Sequence, residues 1–359
     1  MGTDRNLRIL LYGEFAWDRL AASYKRAFEE LGHQIIPFDE QTIREYLSPW
    51  LAHRVGHRAT IGSLALRRAG SKRWNERLLK AFRETKPDLV LVLKGDFLMP
   101  ETVRAIDERG TRVFILHPDN PFPPHNNNRP ETLPTALECS VYLIWSRSLI
   151  GRLKSLGVKQ VEYLPFAWDP HVFTARESWC EQKCDYDTVF IGGWDRERET
   201  WLSPMAKSFD LKIWGPDYWK TRTRLGSPLR RCWQGSAIWG REASHVLQRS
   251  KIAINIFRRQ NLPDGVIMRT FELPGCGCFP LSTRSTGALE IFPEGEAAAY
   301  FSTPEELHDQ TARYLVDEET RLRISKSAHS IVASKHTYLH RARQILSIFD
   351  EVSPAAPSR

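Results

Sequence analysis

Short apolar runs alternate with helical patterns along the whole chain, and this alternation restricts the fold more than any other feature of the sequence. In the first half, apolar runs predict strands at residues 8–12, 34–38, 89–93, 112–116, 141–145 and 161–164. Helical spacing lies between them, at residues 20–31, 74–84, 101–109 and 148–156. Strands and helices in alternation are typical of βαβ units, whose parallel sheet is covered on both faces. The first half is therefore predicted to be a Rossmann-like domain.

The same alternation begins again after a connection at residues 164–173 that contains Pro165 and Pro170. It predicts strands at residues 188–191, 211–214, 252–256, 279–282 and 298–301. Helices are predicted at residues 197–207, 241–248, 268–273, 304–315 and 318–334. We therefore predict an α/β protein with two doubly wound, Rossmann-like domains. The predicted parts are residues 1–168, residues 169–335, a last helix within 336–352 and a flexible tail at 353–359.

Composition and cysteine spacing exclude several other classes of protein. The 359 residues suffice for two domains of ordinary size. No apolar run approaches the ~18 residues that a membrane span needs, and the run at residues 7–11 is too short for a signal peptide. The six cysteines form neither a disulfide framework nor the paired CxxC spacing of a zinc site. We expect a cytoplasmic protein without a metal or another cofactor.

Residues 50–83 contain nine Lys or Arg and one Glu, a surplus equal to the formal charge of +8 of the whole protein. One interpretation is a solvated helical face. The other is a peripheral contact with anionic lipid, since each basic residue near such a surface contributes about 1 kcal/mol. Apolar residues suited to an interfacial segment are interleaved with the charges, namely Trp50, Ile61, Leu64, Leu66 and Trp74.

The most informative segment is residues 261–282. It offers a loop with Asp264 and Gly265, then a helix that carries Arg269 and Glu272. Free N–H groups and the positive end of the helix dipole suit a diphosphate, and a guanidinium adds a bidentate cation. Glu272 is placed to accept ribose hydroxyls, and Asp264 to contact sugar hydroxyls. The alternative is that Arg269 and Glu272 form only a surface i, i+3 pair, worth ~0.2–0.5 kcal/mol.

These residues also carry a resemblance to a known group of enzymes. Asp264 and Glu272, followed by Pro-Gly-Cys-Gly-Cys-Phe-Pro, resemble the Glu-x7-Glu donor motif of retaining GT-B glycosyltransferases, with Asp in place of the first Glu. Residues 268–272 and 336–342 are similar to those of the spore-maturation-protein-B-like (CgeB-like) glycosyltransferases. The resemblance implies a GT-B fold, a nucleotide-sugar donor, no metal, and a last helix that packs on the first domain.

The resemblance also suggests which residues bind the donor. Residues 190–198 read as a strand, a glycine turn and a charged helix start, in which Arg198 resembles the basic residue that neutralises the leaving diphosphate and Arg196 is the competing choice. A charged helix start that only faces water is the alternative, and Trp214 is also interpretable as a core aromatic. The full predicted donor set is Gly13, Gly192, Gly193, Arg196, Arg198, Trp214, Ile238, Asp264, Gly265, Arg269, Thr270 and Glu272.

The first domain is predicted to hold the acceptor. His117 and Asp119 follow the strand at 112–116, and the segment Lys94–Asp96 follows the strand at 89–93. Carboxyl ends of parallel strands are where such sheets bind ligands. Asp119 or His117 is therefore a candidate base for the acceptor hydroxyl, and with Arg269 they form the predicted catalytic set. Alternatively, Asp119 only caps a turn before Pro121.

The predicted function is metal-independent transfer of a sugar from a UDP- or GDP-linked donor to a hydroxyl of a glycan, lipid-linked or protein acceptor. A two-domain dehydrogenase is disfavoured because neither residues 12–14 nor residues 191–194 supply a GxGxxG turn. Two alternatives are a non-catalytic GT-B scaffold, whose basic surface binds membrane or nucleic acid, and a DNA-modifying glucosyltransferase. Nucleic acid is the less favoured partner because no helix-turn-helix or zinc finger is found.

Overall fold

The computed structural model describes residues 6–39, 64–122, 129–177, 179, 184–258 and 263–352, with the side chains of 64–70 left aside. The chain divides into two compact units, Met1–Leu164 with Leu339–Arg359, and Pro165–Tyr338. The first unit thus ends before the boundary predicted after residue 168. The proline-containing connection belongs to the second unit because the backbone N–H of Trp168 donates to the carbonyl of His336 at 2.9 Å.

The first unit contains a six-stranded parallel sheet in the order β2-β1-β3-β4-β5-β6. Its strands are β1 (Arg8–Gly13), β2 (Gln34–Asp39), β3 (Leu89–Leu93), β4 (Arg112–His117), β5 (Val141–Ile144) and β6 (Val161–Tyr163). Its helices are α1 (Leu20–Glu30), α2 (Leu64–Thr85), α3 (Pro100–Asp107), α4 (Thr132–Glu138) and α5 (Ser148–Ser155). Every residue of β3 and of β5 is buried, as expected for strands with helices on both faces.

The second unit contains a five-stranded parallel sheet in the order β11-β10-β9-β7-β8. Its strands are β7 (Tyr186–Ile191), β8 (Leu211–Trp214), β9 (Ser250–Asn255), β10 (Phe279–Thr283) and β11 (Ala299–Phe301). Its helices are α6 (Arg196–Ser208), α7 (Tyr218–Thr221), α8 (Leu229–Cys232), α9 (Gly240–Gln248), α10 (Met268–Gly275), α11 (Thr286–Ile291), α12 (Pro304–Val316) and α13 (Glu318–Lys335).

The last helix, α14 (Tyr338–Val352), contributes its residues from Leu339 onward to the first unit. Phe349 packs against Phe114 of β4 with ring centroids 6.3 Å apart. The Nε2 atom of Gln344 donates to the carbonyl of Tyr163 at 2.9 Å. A helix that follows the second sheet in sequence therefore completes the core of the first.

Each sheet reverses its strand order at one point. In the first sheet, β1 lies between β2 and β3, and in the second, β7 lies between β8 and β9. Ligands of doubly wound sheets bind outside the carboxyl ends of the strands at such a switch point. The α/β class with two Rossmann-like units is confirmed, and the two switch points indicate where to look for a site.

Part of the basic segment at 50–83 lies outside the described residues. In the part that is described, Trp74 is buried and packs on Tyr12 with ring centroids 4.2 Å apart. The interpretation of Trp74 as an interfacial aromatic is therefore wrong, because helix α2 turns it towards the sheet. None of the described helices combines the length and the apolar character that a membrane span requires.

Candidate active site

Arg198 connects the two loops that follow β7 and β9 at the switch point of the second sheet. Its Nε and Nη2 atoms donate to the carbonyl oxygen of Ile256 at 3.2 and 2.7 Å. Its Nη1 atom donates to the carbonyl oxygen of Gly193 at 3.0 Å. The residue is only 8% exposed. The guanidinium is thus held by backbone carbonyl oxygens, which are uncharged and do not neutralise its positive charge.

Asp195 is the N-cap residue of helix α6 and lies between two guanidinium groups. Its Oδ1 atom accepts the backbone N–H of Arg198 at 2.9 Å, which is an ordinary N-cap bond. Its Oδ2 atom lies 3.6 Å from Nε of Arg198 and 3.5 Å from Nε of Arg258. That oxygen is buried and accepts no hydrogen bond. Asp195 therefore holds both arginines near the loop without fully engaging either.

Arg258 is a candidate that the sequence analysis missed. It follows β9 and lies in the loop directly beside Gly193, whose Cβ position is 2.9 Å from Nη2 of Arg258. Its side chain is 45% exposed, so the guanidinium is accessible. The available signal was a basic residue directly after the carboxyl end of a predicted strand. That signal alone does not indicate which neighbouring loop the side chain reaches.

Arg258 and Arg269 both act electrostatically on Arg198. Burial, together with the charges of Arg258 and Arg269, lowers the pKa of Arg198 to about 10, against the opposite effect of Asp195. A cation whose neighbours are also cations indicates a region that favours an anion. The structure therefore brings Gly193, Arg198 and Arg269 of the predicted set together and adds Arg258.

The sequence offers Arg196 and Arg198 as alternative candidates for the cation that neutralises the leaving diphosphate. Their environments in the structure differ. Arg196 is the first residue of α6 and is exposed. Arg198 is buried at the switch point. The geometry thus favours Arg198 as the cation of this loop and leaves Arg196 at the solvated start of the helix.

Arg269 and Glu272 are paired at the start of helix α10. Nη1 of Arg269 is 2.9 Å from Oε2 of Glu272, but the geometry is not that of a hydrogen bond, so this buried Nη1 has no hydrogen-bond partner. Glu272 is 5% exposed, and burial raises the pKa of its carboxyl group against the effect of Arg269. The pair is therefore not the exposed surface pair of the alternative interpretation. It leaves a buried N–H donor of Arg269 without an acceptor.

The loop that precedes α10 is fixed by the start of α11. Ser285 Oγ donates to the carbonyl oxygen of Gly265 at 2.9 Å. The carbonyl of Asp264 occupies the space in which a side chain on residue 287 would lie, so only glycine fits there. Asp264 itself is half-buried. The loop is thus held in one conformation beside the first turn of α10, as a phosphate-binding loop requires.

The aromatic and aliphatic residues of the predicted donor set lie deeper in the second unit. Trp214 and Ile238 are both buried in one core cluster. The carbonyl of Trp214 accepts the N–H of Gly192 at 2.9 Å, which joins the ends of β7 and β8. Trp239, by contrast, is 59% exposed. Trp214 therefore acts mainly as a core aromatic that positions the glycine turn.

Two further predicted residues have visible structural roles. A Cβ on Gly13 would lie 2.8 Å from the Cβ of Ala21, so glycine allows helix α1 to approach β1 closely. Oγ1 of Thr270 accepts the N–H of Ile267 at 3.2 Å and caps helix α10. Both residues support the backbone at a strand or helix end near a switch point.

In the first unit, three charged side chains meet at the carboxyl ends of β3 and β4. Nζ of Lys94 lies 3.3 Å from Oδ2 of Asp96 and 3.3 Å from Oδ2 of Asp119. Burial of Lys94 opposes its charged form, but the two carboxylates outweigh this and raise the pKa of the ammonium group. Asp119 is therefore engaged in an ion pair that joins two loops, rather than acting only as a turn cap.

His117 lies under this group and is 1% exposed. Its Nδ1 atom is 2.9 Å from the carbonyl oxygen of Asp119, which can only accept, so Nδ1 carries the proton. Nε2 is then an acceptor, and it is buried without a hydrogen-bond partner. Burial, more than any charge nearby, lowers the pKa of His117, so the ring is neutral. The structure brings both acceptor-side candidates together, with Nε2 of His117 enclosed.

Comparisons with known proteins agree with this architecture. Residues 196–347 match the model of the family described as Glycosyl transferase-like. The comparison with curated protein sequences finds no significant match.

Solved structures resemble the whole chain at low sequence identity. Sucrose-phosphate synthase from Thermosynechococcus elongatus has a TM-score of 0.67 at 12% identity and covers 98% of this chain and 100% of its own. A UDP-forming α,α-trehalose-phosphate synthase from Burkholderia xenovorans has a TM-score of 0.63 at 13% identity, with 98% and 100% coverage. Anabaena HepE, described in complex with UDP and glucose, has a TM-score of 0.60 at 11% identity, with 96% and 100% coverage.

The similar structures show the GT-B fold, and residues 196–347 match the glycosyl transferase-like family. The chain is a glycosyltransferase with the GT-B fold, as the sequence predicted. The narrower resemblance to the CgeB-like group stays a prediction.

Proposed function

We propose that this enzyme takes a sugar from a UDP- or GDP-linked donor whose diphosphate binds at the switch point of the second sheet. The observation that carries the proposal is the group of guanidinium side chains there, Arg198, Arg258 and Arg269. Arginine pairs with phosphate oxygens through bidentate, charge-assisted hydrogen bonds. The HepE structure, described with UDP and glucose, supports a nucleotide-sugar donor by analogy of fold.

The arginines supply the charge that such a reaction needs. As the bond between sugar and diphosphate breaks, negative charge accumulates on the leaving diphosphate. Cations positioned in advance stabilise that charge, the electrostatic role that a divalent ion fills in other transferases. We therefore propose that transfer needs no metal, and that an acceptor hydroxyl bound to the first unit captures the sugar. Asp119 and His117 are the candidate groups for its proton.

The donor is tested by measuring hydrolysis of a panel of nucleotide sugars, and UDP and GDP binding by calorimetry, with the intact protein. We expect one donor to be hydrolysed with EDTA present, and the variants Arg258→Gln and Arg269→Ala to lose at least about tenfold in nucleotide affinity. Arg249→Ala is the matched control, since Arg249 pairs with Asp185 before β9, at the amino end of the sheet. Wild-type affinity in both test variants would remove the proposed site.

The alternatives give different results in the same experiment. A non-catalytic scaffold hydrolyses no donor, whether or not it binds nucleotides. A DNA-modifying glucosyltransferase hydrolyses a donor and transfers the sugar to DNA rather than to a glycan, lipid-linked or protein acceptor. Adding duplex DNA and a glycan mixture to the hydrolysis assay therefore separates all three.

We also propose that helix α2 contacts an anionic membrane surface peripherally. Its buried face packs on the sheet, and its exposed face carries Lys72, Arg73, Arg77, Lys80 and Arg83. Each basic residue near an anionic surface contributes about 1 kcal/mol. The test is co-sedimentation with phosphatidylserine vesicles at low and high salt, beside phosphatidylcholine vesicles. Equal binding to both lipids would contradict the contact.

A further inference from the structure

Two residues other than glycine have a left-handed backbone in the described ranges, Lys86 with φ 43° and Lys94 with φ 69°. Lys86 follows helix α2, where a left-handed residue is a common way for a helix to end. Lys94 follows strand β3 at the carboxyl edge of the first sheet, beside the switch strand β1. A left-handed residue that is not glycine, asparagine or aspartate is strained, and such strain is concentrated at functional sites.

The strained backbone at position 94 carries a lysine side chain whose ammonium group lies between two carboxylates. Its ammonium group lies at the same distance, 3.3 Å, from the carboxylates of Asp96 and Asp119. The backbone N–H of Lys94 donates to the carbonyl of Leu116 at 2.8 Å, which fixes the residue against β4. Lys94 thus joins the loops after β3 and β4, with two negative charges and one positive charge at one place.

The hydrogen-bonding capacity of this group is not used up by the protein. Oδ1 of Asp96 is buried and has no hydrogen-bond partner, and the same holds for Nε2 of His117, which lies within electrostatic reach of Lys94, Asp96 and Asp119. Buried polar atoms in folded proteins nearly always have a partner, in the protein, in water or in a ligand. These two acceptors therefore indicate a ligand or water that donates hydrogen bonds.

We propose that Lys94, Asp96 and Asp119 form the binding site for the acceptor, and that the acceptor is an uncharged polyhydroxyl compound, a sugar or polyol without phosphate. Hydroxyl groups donate to carboxylate oxygens and accept from the ammonium group, so all three side chains are satisfied by neighbouring hydroxyls. A phosphate meets two carboxylates and one ammonium, which is a net repulsion. The proposal rests on the proposed function and names its acceptor class.

Binding is tested without any donor, by saturation-transfer NMR on the intact protein. The probes are glucose, galactose and maltose, and the phosphate esters glucose 6-phosphate and galactose 1-phosphate. We expect at least one neutral probe to bind and the esters to bind more weakly. Lys94→Met and Asp96→Asn should weaken the binding about tenfold, the effect of losing one charge-assisted hydrogen bond.

A glycine variant separates strain from function. Lys94→Gly removes the ammonium group as Lys94→Met does, but it also removes the strain, so it should melt at a higher temperature than Lys94→Met while neutral-sugar binding falls equally in both variants. Lys86→Gly relieves strain at the other left-handed lysine and should keep full sugar binding. The proposal is overturned if no neutral probe binds, if the esters bind better, or if Lys94→Gly binds sugars like the wild type. Failure of the donor site would instead appear as lost UDP and GDP binding with sugar binding intact.

Discussion

Arg258 places its guanidinium where a side chain on residue 193 would point. Its Nη2 atom is 2.9 Å from the position of a Cβ on Gly193, and its Nε atom is 3.5 Å from the carboxylate of Asp195. The glycine after β7 therefore does more than permit a turn. It leaves room for a cation that comes from the neighbouring strand, on the far side of the switch point.

Gly193→Ala should consequently weaken nucleotide binding without removing any charge. The added methyl group must displace the flexible end of Arg258, and a charge-assisted hydrogen bond is worth about 1.5–3 kcal/mol when fully lost. We expect the Kd for UDP, or for GDP if that is the preferred nucleotide, to rise about tenfold. Calorimetry provides the measurement.

A second glycine offers the control for this substitution. Gly151 lies in α5 of the first unit with no atom near its Cβ position, so Gly151→Ala should leave nucleotide binding unchanged. Unchanged binding in Gly193→Ala as well would mean that Arg258 moves freely or does not touch the ligand.

Breaking the pair between Arg269 and Glu272 should cost stability as well as binding. Glu272 is buried, and removing one partner of a buried ion pair leaves the other charge uncompensated, so each single variant to Ala should lose about 2–3 kcal/mol of unfolding free energy. The double variant Arg269→Ala with Glu272→Ala should lose less than the sum of the two singles. Urea denaturation of the three variants gives the coupling, and strict additivity would show that the two charges do not interact.

His117 should make the protein less stable in mild acid. Burial holds its pKa below the value of about 6.5 in an unfolded chain, so the unfolded state takes up the proton first as the pH falls. The contribution of His117 to the unfolding free energy is therefore fully present above about pH 6.5 and declines below it. The charged groups that face the ring are Lys94, Asp96 and Asp119.

The variant His117→Gln should flatten this dependence, because the amide can still donate to the carbonyl of Asp119 but does not titrate. The measurement is the unfolding free energy from pH 7 to pH 5, beside the control His308→Gln at a half-buried histidine. His33, whose pKa burial also lowers, leaves a residual slope in every variant. An identical slope in wild type and His117→Gln would show that the ring does not change protonation in this range.

The sheets were predictable because each central strand is an apolar run long enough to be read alone, such as residues 89–93 and 279–282. Helix α11 was missed because its six residues are too few for a periodic pattern, and its start depends on the cap formed by Ser285. The role of Arg258 depends on which loop its side chain crosses. The loops after β7 and β9 meet only because these two strands are neighbours in the sheet. The spacing of residues along the chain does not reveal that pairing.

The same limit applies to Gly275, at the end of the helix that begins with the donor-site pair. A Cβ on Gly275 would lie 2.4 Å from the indole of Trp168. That indole does not move easily, because its Nε1 atom donates a hydrogen bond to the carbonyl of Phe173 at 2.6 Å. The backbone N–H of Trp168 also donates a hydrogen bond to the carbonyl of His336. Gly275→Ala should therefore destabilise the second unit by about 1–3 kcal/mol, as overpacked cores do.

Shortening the opposing side chain tests the cause of that loss. Trp168→Leu alone should be destabilising, because a buried indole and its hydrogen bond are removed. If the clash is responsible, Gly275→Ala should cost less in the Trp168→Leu background than in the wild type, since the added methyl group then meets space rather than the ring. Chemical denaturation of the four proteins gives this difference. Equal costs in both backgrounds would mean that alanine is tolerated beside the indole and that the glycine is needed for the backbone of α10 instead.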